Sequence, residues 1–183
     1  MSDDTTTRIL DELRRALAAI DQRSAQDFIG ALAGPSTGLR AGAREVFVTG
    51  QGRSGLIAAA FAVRLAHLGL RVHVVGEPTT PAVAAGAVLV ACSGSGRTGV
   101  TLLRAERALA AGAQVWAITQ DRSSPLASAA THVVVIPDVA SAQPGASIFE
   151  QALLVFLDAV VMELMARLGE TESSMLARHA NLE

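Results

Sequence analysis

The chain has 183 residues, half of them apolar but only 3% aromatic and none tyrosine, with a formal net charge of −2. That length fits one domain with a sizeable core, and the lack of a basic block excludes a nucleic-acid backbone as the main partner. The single cysteine, Cys92, excludes an internal disulfide; at the end of an apolar run it reads as a small buried hydrophobe.

The opening MSDDTTTRIL is acidic and has no apolar centre, so it does not read as a signal peptide. Ile9, Leu13, Leu17 and Ile20 recur at helical spacing and predict an amphipathic helix or helix pair over 5–33, with Asp3, Asp4 and Thr5 suited to its start. Gly34, Pro35, Gly38 and Gly42 mark a loop. A short strand follows over 45–49, then the loop Gly50-Gln51-Gly52-Arg53-Ser54-Gly55 and an Ala-rich helix running to about His67, ended by Gly69. A second strand over 71–75 stops at Gly76-Glu77-Pro78. A third, 88–92, stops abruptly at Ser93-Gly94-Ser95-Gly96-Arg97-Thr98 and leads into a helix ending near Gly112. A fourth strand is predicted over 114–119, a short helix from Ser124-Pro125, a fifth strand over 132–136, and a long helix over 147–168. The tail reads TESSMLARHANLE.

Strands alternating with helices predict a five-stranded parallel sheet flanked by helices, a Rossmann-like or flavodoxin-like three-layer sandwich. The chain divides into a helical segment 1–44, an α/β core 45–170 and a tail 171–183, all within one domain spanning 1–183. The stretch 152–166 is too short and, with Asp158 and Glu163, too polar to span a membrane; a soluble cytoplasmic protein is expected. The same helix is apolar nearly all round, which predicts burial on more than one side and a subunit interface.

Two loops carry the chemistry. Ser93 to Thr98 packs three hydroxyls and two glycines into six residues at the start of a helix. Free backbone N–H groups, a partial positive charge and hydroxyl donors together suit a phosphate; an ordinary Ser- or Thr-capped βα turn is the plainer alternative. Gly50, Gly52 and Gly55 spell the dinucleotide fingerprint GxGxxG, with Glu77 placed as the ribose-binding acid. Ser54 inside that turn and the second hydroxyl-rich loop point instead to one phosphorylated sugar held between two loops.

At these residues the sequence resembles the sugar isomerase (SIS) domain family, and within it the 6-phospho-3-hexuloisomerases. The resemblance is carried by GQGRSG at 50–55, RLAHLG at 64–69, VVGEPTTP at 74–81, ACSGSGRT at 91–98, QPGASIFEQ at 143–151 and RHANLE at 178–183. One departure is visible: the family loop reads SGSGET, and Arg97 stands here in place of the acid. The resemblance implies interconversion of D-arabino-hex-3-ulose 6-phosphate and D-fructose 6-phosphate by a homo-oligomer with no metal and no cofactor; the all-round apolar helix 147–168 predicts a dimer or a tetramer, the tetramer preferred. It also implies functional coupling to the 3-hexulose-6-phosphate synthase that makes the substrate.

Moving a carbonyl from C3 to C2 needs a group that takes a proton from one carbon and returns it to the other through a cis-enediolate. It also needs a firm hold on the remote phosphate. The substrate and phosphate residues expected are Gly52, Arg53, Ser54, Ser93, Gly94, Ser95 and Thr98. Glu150, at the start of the long helix, is the expected base; a first-turn acid favoured by the helix dipole is the alternative. His67 and His179 are further catalytic candidates. His67 lies too far along its helix to reach the phosphate of its own chain and would act across an interface. His73 and His132 read as structural. Other readings remain: an isomerase of the arabinose 5-phosphate type, a non-catalytic sugar-phosphate sensor, and a nicotinamide-binding protein.

Overall fold

The structure is a computed structural model that describes residues 3–34 and 44–182. The loop expected at Pro35, Gly38 and Gly42 falls outside them. The N-terminal segment is a helix pair, α1 (Asp3–Ala18) and α2 (Gln22–Ala33). Asp21 separates them: its carboxylate accepts from Ser24 N at 2.9 Å and so caps α2.

Strands β1 (Val46–Gly50), β2 (Val72–Val74), β3 (Val88–Cys92), β4 (Gln114–Thr119) and β5 (His132–Val135) form one parallel sheet in the order β2-β1-β3-β4-β5. Helices α3 (Gly52–His67), α4 (Gly99–Ala110) and α5 (Pro125–Ser128) make crossovers, and the long α6 (Ser147–Leu168) and a short α7 (Glu172–Leu176) follow the last strand. Side chains alternate across the sheet. Val46, Val48, Val88, Val90 and Cys92 face the layer of α1, α2, α3 and α6, while Phe47, Leu89 and Ala91 face α4 and α5. Cys92 is fully buried, which pushes its thiol pKa up to about 12; it is packing, not a nucleophile.

The central strands are buried on both faces, as their apolar runs predict. At the edge, β2 is three residues long and only half-buried, so it tolerates His73. The long helix α6 buries Ile148, Phe149, Leu153, Phe156, Leu157, Val160 and Leu164 against α1, α2 and α3. Its other side leaves Met162 71% exposed and Leu154 and Val155 at 42% and 40%. The tail is more ordered than its sequence announces. A capping box between Thr171 and Ser174 starts α7. Beyond it the Arg178 guanidinium donates to both carboxylate oxygens of Glu170 at 2.9 and 3.0 Å, and to the carbonyl of His67 at 2.7 Å. That bond satisfies a terminal carbonyl of α3 and docks the tail on it.

Candidate active site at the switch point of the sheet

The strand order reverses between β1 and β3, where one chain segment turns left and the next turns right. In open parallel sheets the crevice at the carboxyl ends of such strands is the ligand site. Here Gly50 and Cys92 are register partners, so the loops 50–55 and 93–98 leave the sheet side by side. The sequence-predicted phosphate residues are therefore neighbours in space.

Both loops open helices without a side-chain cap. Helices α2, α5 and α7 carry side-chain caps from Asp21, Ser124 and Thr171, whereas Gln51 and Thr98, the residues that open α3 and α4, make no side-chain cap bond. The capped-turn alternative for the loop at Thr98 is thus not what the chain adopts, and the first-turn N–H groups at both loops lack a side-chain acceptor. The hydroxyls of Ser93 and Thr98 share a hydrogen bond at 3.1 Å. Ser95 is exposed, and its Oγ accepts from Arg97 N at 3.2 Å. Ser54 and Gly94 are buried, and Gly52 turns the backbone at φ 57°.

The second loop is pinned from below. Thr119 Oγ1 donates to the Gly94 carbonyl at 3.0 Å, and Gly96 sits at φ 60° against Ser124. Arg97, the departure from the family pattern, pairs with Asp121 at 3.0 Å. Asp121 also accepts from Ser123 N and Oγ; those bonds, then Arg97, hold its carboxyl below the ordinary aspartate range.

Glu150 enters from α6. Its carboxylate lies 2.7 Å from Arg53 Nη1, and only 13% of its side chain is exposed. The same guanidinium donates to Ser147 Oγ at 3.3 Å, and Ser147 donates to the Pro144 carbonyl at 2.7 Å. Glu150 is therefore joined to the first loop.

The histidines stand elsewhere. His67 ends α3, roughly 22 Å along the helix from Gly52 at 1.5 Å per residue. The chain brings His67 and His179 together, with ring centroids 5.0 Å apart, in a pocket of about 480 Å³ that Arg64, Asp158, Met162 and Met175 also line. Burial first, then the neighbouring His179 and Arg64, hold the His67 pKa below its ordinary value. The two candidates are one pair, and within one chain that pair is remote from Glu150. His73 packs on Phe47 and His132 on Trp116, as structural histidines do. Among the described residues there is no group of three or more His, Cys, Asp or Glu that could hold a metal ion, and no helix long and apolar enough to cross a membrane.

Sequence reasoning missed Glu12, Glu170 and Arg178, which hold the loops and tail around the candidate residues. The available signal was their type: long charged side chains within otherwise amphipathic or terminal segments.

The SIS domain pattern matches residues 41–162. A 3-hexulose-6-phosphate isomerase of Mycobacterium gastri is 44% identical over 75% of this chain and 73% of its own length. A second, from Bacillus subtilis, is 34% identical over 96% of this chain and 95% of its own. A crystal structure from Methanococcus jannaschii, described as inferring a molecular function of 3-hexulose-6-phosphate isomerase, superposes with a TM-score of 0.85 at 30% identity, covering 98% of this chain and 99% of that one. The chain belongs to the SIS domain family, on the branch of the 3-hexulose-6-phosphate isomerases.

Proposed function

We propose that the chain interconverts D-arabino-hex-3-ulose 6-phosphate and D-fructose 6-phosphate, with Glu150 as the base. The single observation that carries this site assignment is the Arg53–Glu150 contact beside two uncapped helix starts. The phosphate sits between the loops 50–55 and 93–98, held by Ser54, Ser93, Ser95, Thr98 and the backbone N–H groups of Gly52 and Gly94. Its binding energy orients the sugar carbons toward α6. The Glu150 carboxylate takes the C2 proton of the 3-ulose, electrons move into a C2–C3 double bond, and the C3 oxygen becomes the enolate oxygen. In the cis-enediolate the O2 hydroxyl passes its proton to O3, and the carbon-bound proton then returns to C3 from the same face as C2 becomes the carbonyl. Arg53 orients the carboxylate and faces the developing negative charge. Two hydrogens change place, one from C2 to C3 and one from the O2 hydroxyl to O3, and no external oxidant or reductant is needed.

The 3-ulose has no free O6 to close a five-membered ring on C3 and enters open-chain. Fructose 6-phosphate closes through O5, so ring opening belongs to the reverse direction. His67 and His179 suit that step, and they reach the loops only from a second copy of the chain. The exposed apolar side chains Leu56, Val63 and Met162 on α3 and α6 support such an assembly; the reading is a homo-oligomer, a tetramer, in the cytoplasm where sugar phosphates are retained. Functional coupling to the synthase that makes the 3-ulose goes with this role.

The test is a coupled assay: purified protein, formaldehyde, ribulose 5-phosphate and a synthase, with fructose 6-phosphate read out. Fructose 6-phosphate formation that depends on the protein supports the reading. No formation, together with turnover of arabinose 5-phosphate or thermal stabilisation by sugar phosphates alone, overturns it in favour of another isomerase or a sensor.

A further inference from the structure

Helix α1 buries a carboxylate. Glu12 is 3% exposed on a helix face that otherwise packs Leu13, Ala16 and Leu17 against the core. An isolated buried carboxylate is costly, and an apolar residue of similar volume would serve packing as well or better. Glu12 instead collects three donors from one segment: Ser141 Oγ at 2.7 Å, Ala142 N at 3.2 Å and Gln143 Nε2 at 3.0 Å. The bonds from Ser141 and Gln143 hold its carboxyl below the ordinary glutamate range against the cost of burial, so it stays ionised and keeps accepting.

The segment it grips is the entry to α6. Gln143 gives its Nε2 to Glu12, which forces its Oε1 the other way, where it accepts from Gln151 Nε2 at 2.8 Å. Gln143 and Gln151 thus close the turn that carries Gly145 at φ 57° and the start of α6. Gln151 follows Glu150 directly, and Ser147, inside the same turn, touches the Arg53 that holds Glu150.

We propose that Glu12 is a positioning residue for Glu150, fixing through Gln143 and Gln151 where the first turn of α6 presents its carboxylate. The inference rests on the reading of Glu150 as the base. The carboxylate is the one group that can take all three donors at once. A glutamine at position 12 offers a single acceptor oxygen and sets its own NH₂ against a donor; turning the Gln143 amide to meet it then sets Gln143 Nε2 against Gln151 Nε2.

The test compares Glu12→Gln, Gln143→Leu and Glu150→Gln in the full-length protein, measuring kcat and KM for fructose 6-phosphate, thermal unfolding, and amide hydrogen exchange across 141–147. For the first two variants kcat is expected to fall about tenfold, less than the ~10²-fold that a 1 Å misplacement can cost. KM is expected to stay within about twofold because the phosphate loops are untouched, and exchange across 141–147 to accelerate. Should Glu12→Gln fail to fold, Gln143→Leu, which leaves α1 intact, carries the same expectation. If both variants turn over within twofold of the parent while Glu150→Gln is inactive, the positioning role is overturned and the base assignment stands. A lower unfolding temperature with unchanged kcat assigns Glu12 to the fold alone and overturns it equally. Normal turnover by Glu150→Gln overturns the base assignment, and this inference with it.

Discussion

Arg53 and Glu150 meet at 2.7 Å although one opens α3 and the other α6. The contact joins the loop proposed to hold the phosphate to the carboxylate proposed as the base. Glu150→Gln keeps shape and loses basicity. Turnover of fructose 6-phosphate is expected to drop at least ~10²-fold, in line with general-base contributions, while equilibrium binding persists. Wash-in of solvent deuterium at the substrate C–H should fall by the same factor. Near-normal exchange in this variant would move the base to another group.

The hydroxyls of the second loop differ in exposure and should differ in effect. Ser95→Ala removes an exposed hydroxyl whose internal role is one bond from Arg97 N, so it is expected to raise KM with little change in stability. Thr98→Ala also breaks the bond to the buried Ser93 hydroxyl and should raise KM and lower the unfolding temperature slightly. Unaltered KM in both variants counts against the phosphate assignment.

Gly96 has neither the backbone nor the space for a side chain. Its φ is 60°, and a Cβ there would collide with Ser124. Gly96→Ala is expected to cost about 1–3 kcal/mol from overpacking, plus roughly 1 kcal/mol of left-handed strain, and to distort the loop. Urea unfolding and KM measured together check this; an unchanged midpoint would mean that Ser124 moves aside freely.

His67 gives the fold a pH dependence with a defined sign. Its folded-state pKa lies below the ordinary 6.5, so the unfolded chain takes up the proton at higher pH than the folded one. This penalty is absent above about pH 7.5, grows as pH falls through 6.5, and levels off once the folded His67 protonates. His67→Gln is expected to flatten the loss of stability between pH 7.5 and 5.5, read by urea titration at each pH. A slope identical to that of the parent would place the acid sensitivity elsewhere.

The exposed Met162 tests assembly. Met162→Glu puts a charge on the apolar face of α6 and is expected to shift light-scattering mass toward the single chain. Parent protein that is already a stable monomer at micromolar concentration would remove the shared-site reading of His67 and His179.

Much of this was legible in the residues. Every strand and every crossover helix lies within a residue or two of its predicted span, because each apolar run stops abruptly at polar or turn-forming residues: Gly50, Gly76, Ser93-Gly94, Gln120-Asp121 and Pro137. The two loops and Glu150 were legible for the same reason, since chain order fixes which ends of parallel strands they occupy. Long-range pairs were not. Arg53 reads in the sequence as a substrate residue, and nothing local announces its partner on α6. His67 and His179 read as separate candidates, and only the bond from Arg178 to the His67 carbonyl shows why the tail lies on α3. Glu12 looks like any acid on an amphipathic helix until the segment 141–143 folds over it.

The glycines of the first loop have a consequence for how such signatures are interpreted. A Cβ on Gly55 would stand 2.8 Å from the carbonyl oxygen of Gly50, and one on Gly50 would stand 2.9 Å from the Gly55 amide nitrogen. Two of the three fingerprint positions are thus accounted for by how closely a helix start crosses the strand that feeds it, with no ligand invoked. The spacing GxGxxG measures a crossing distance between two pieces of backbone. Whether a dinucleotide or a sugar phosphate fills the space above it is decided by the neighbouring strand, which here ends in hydroxyls.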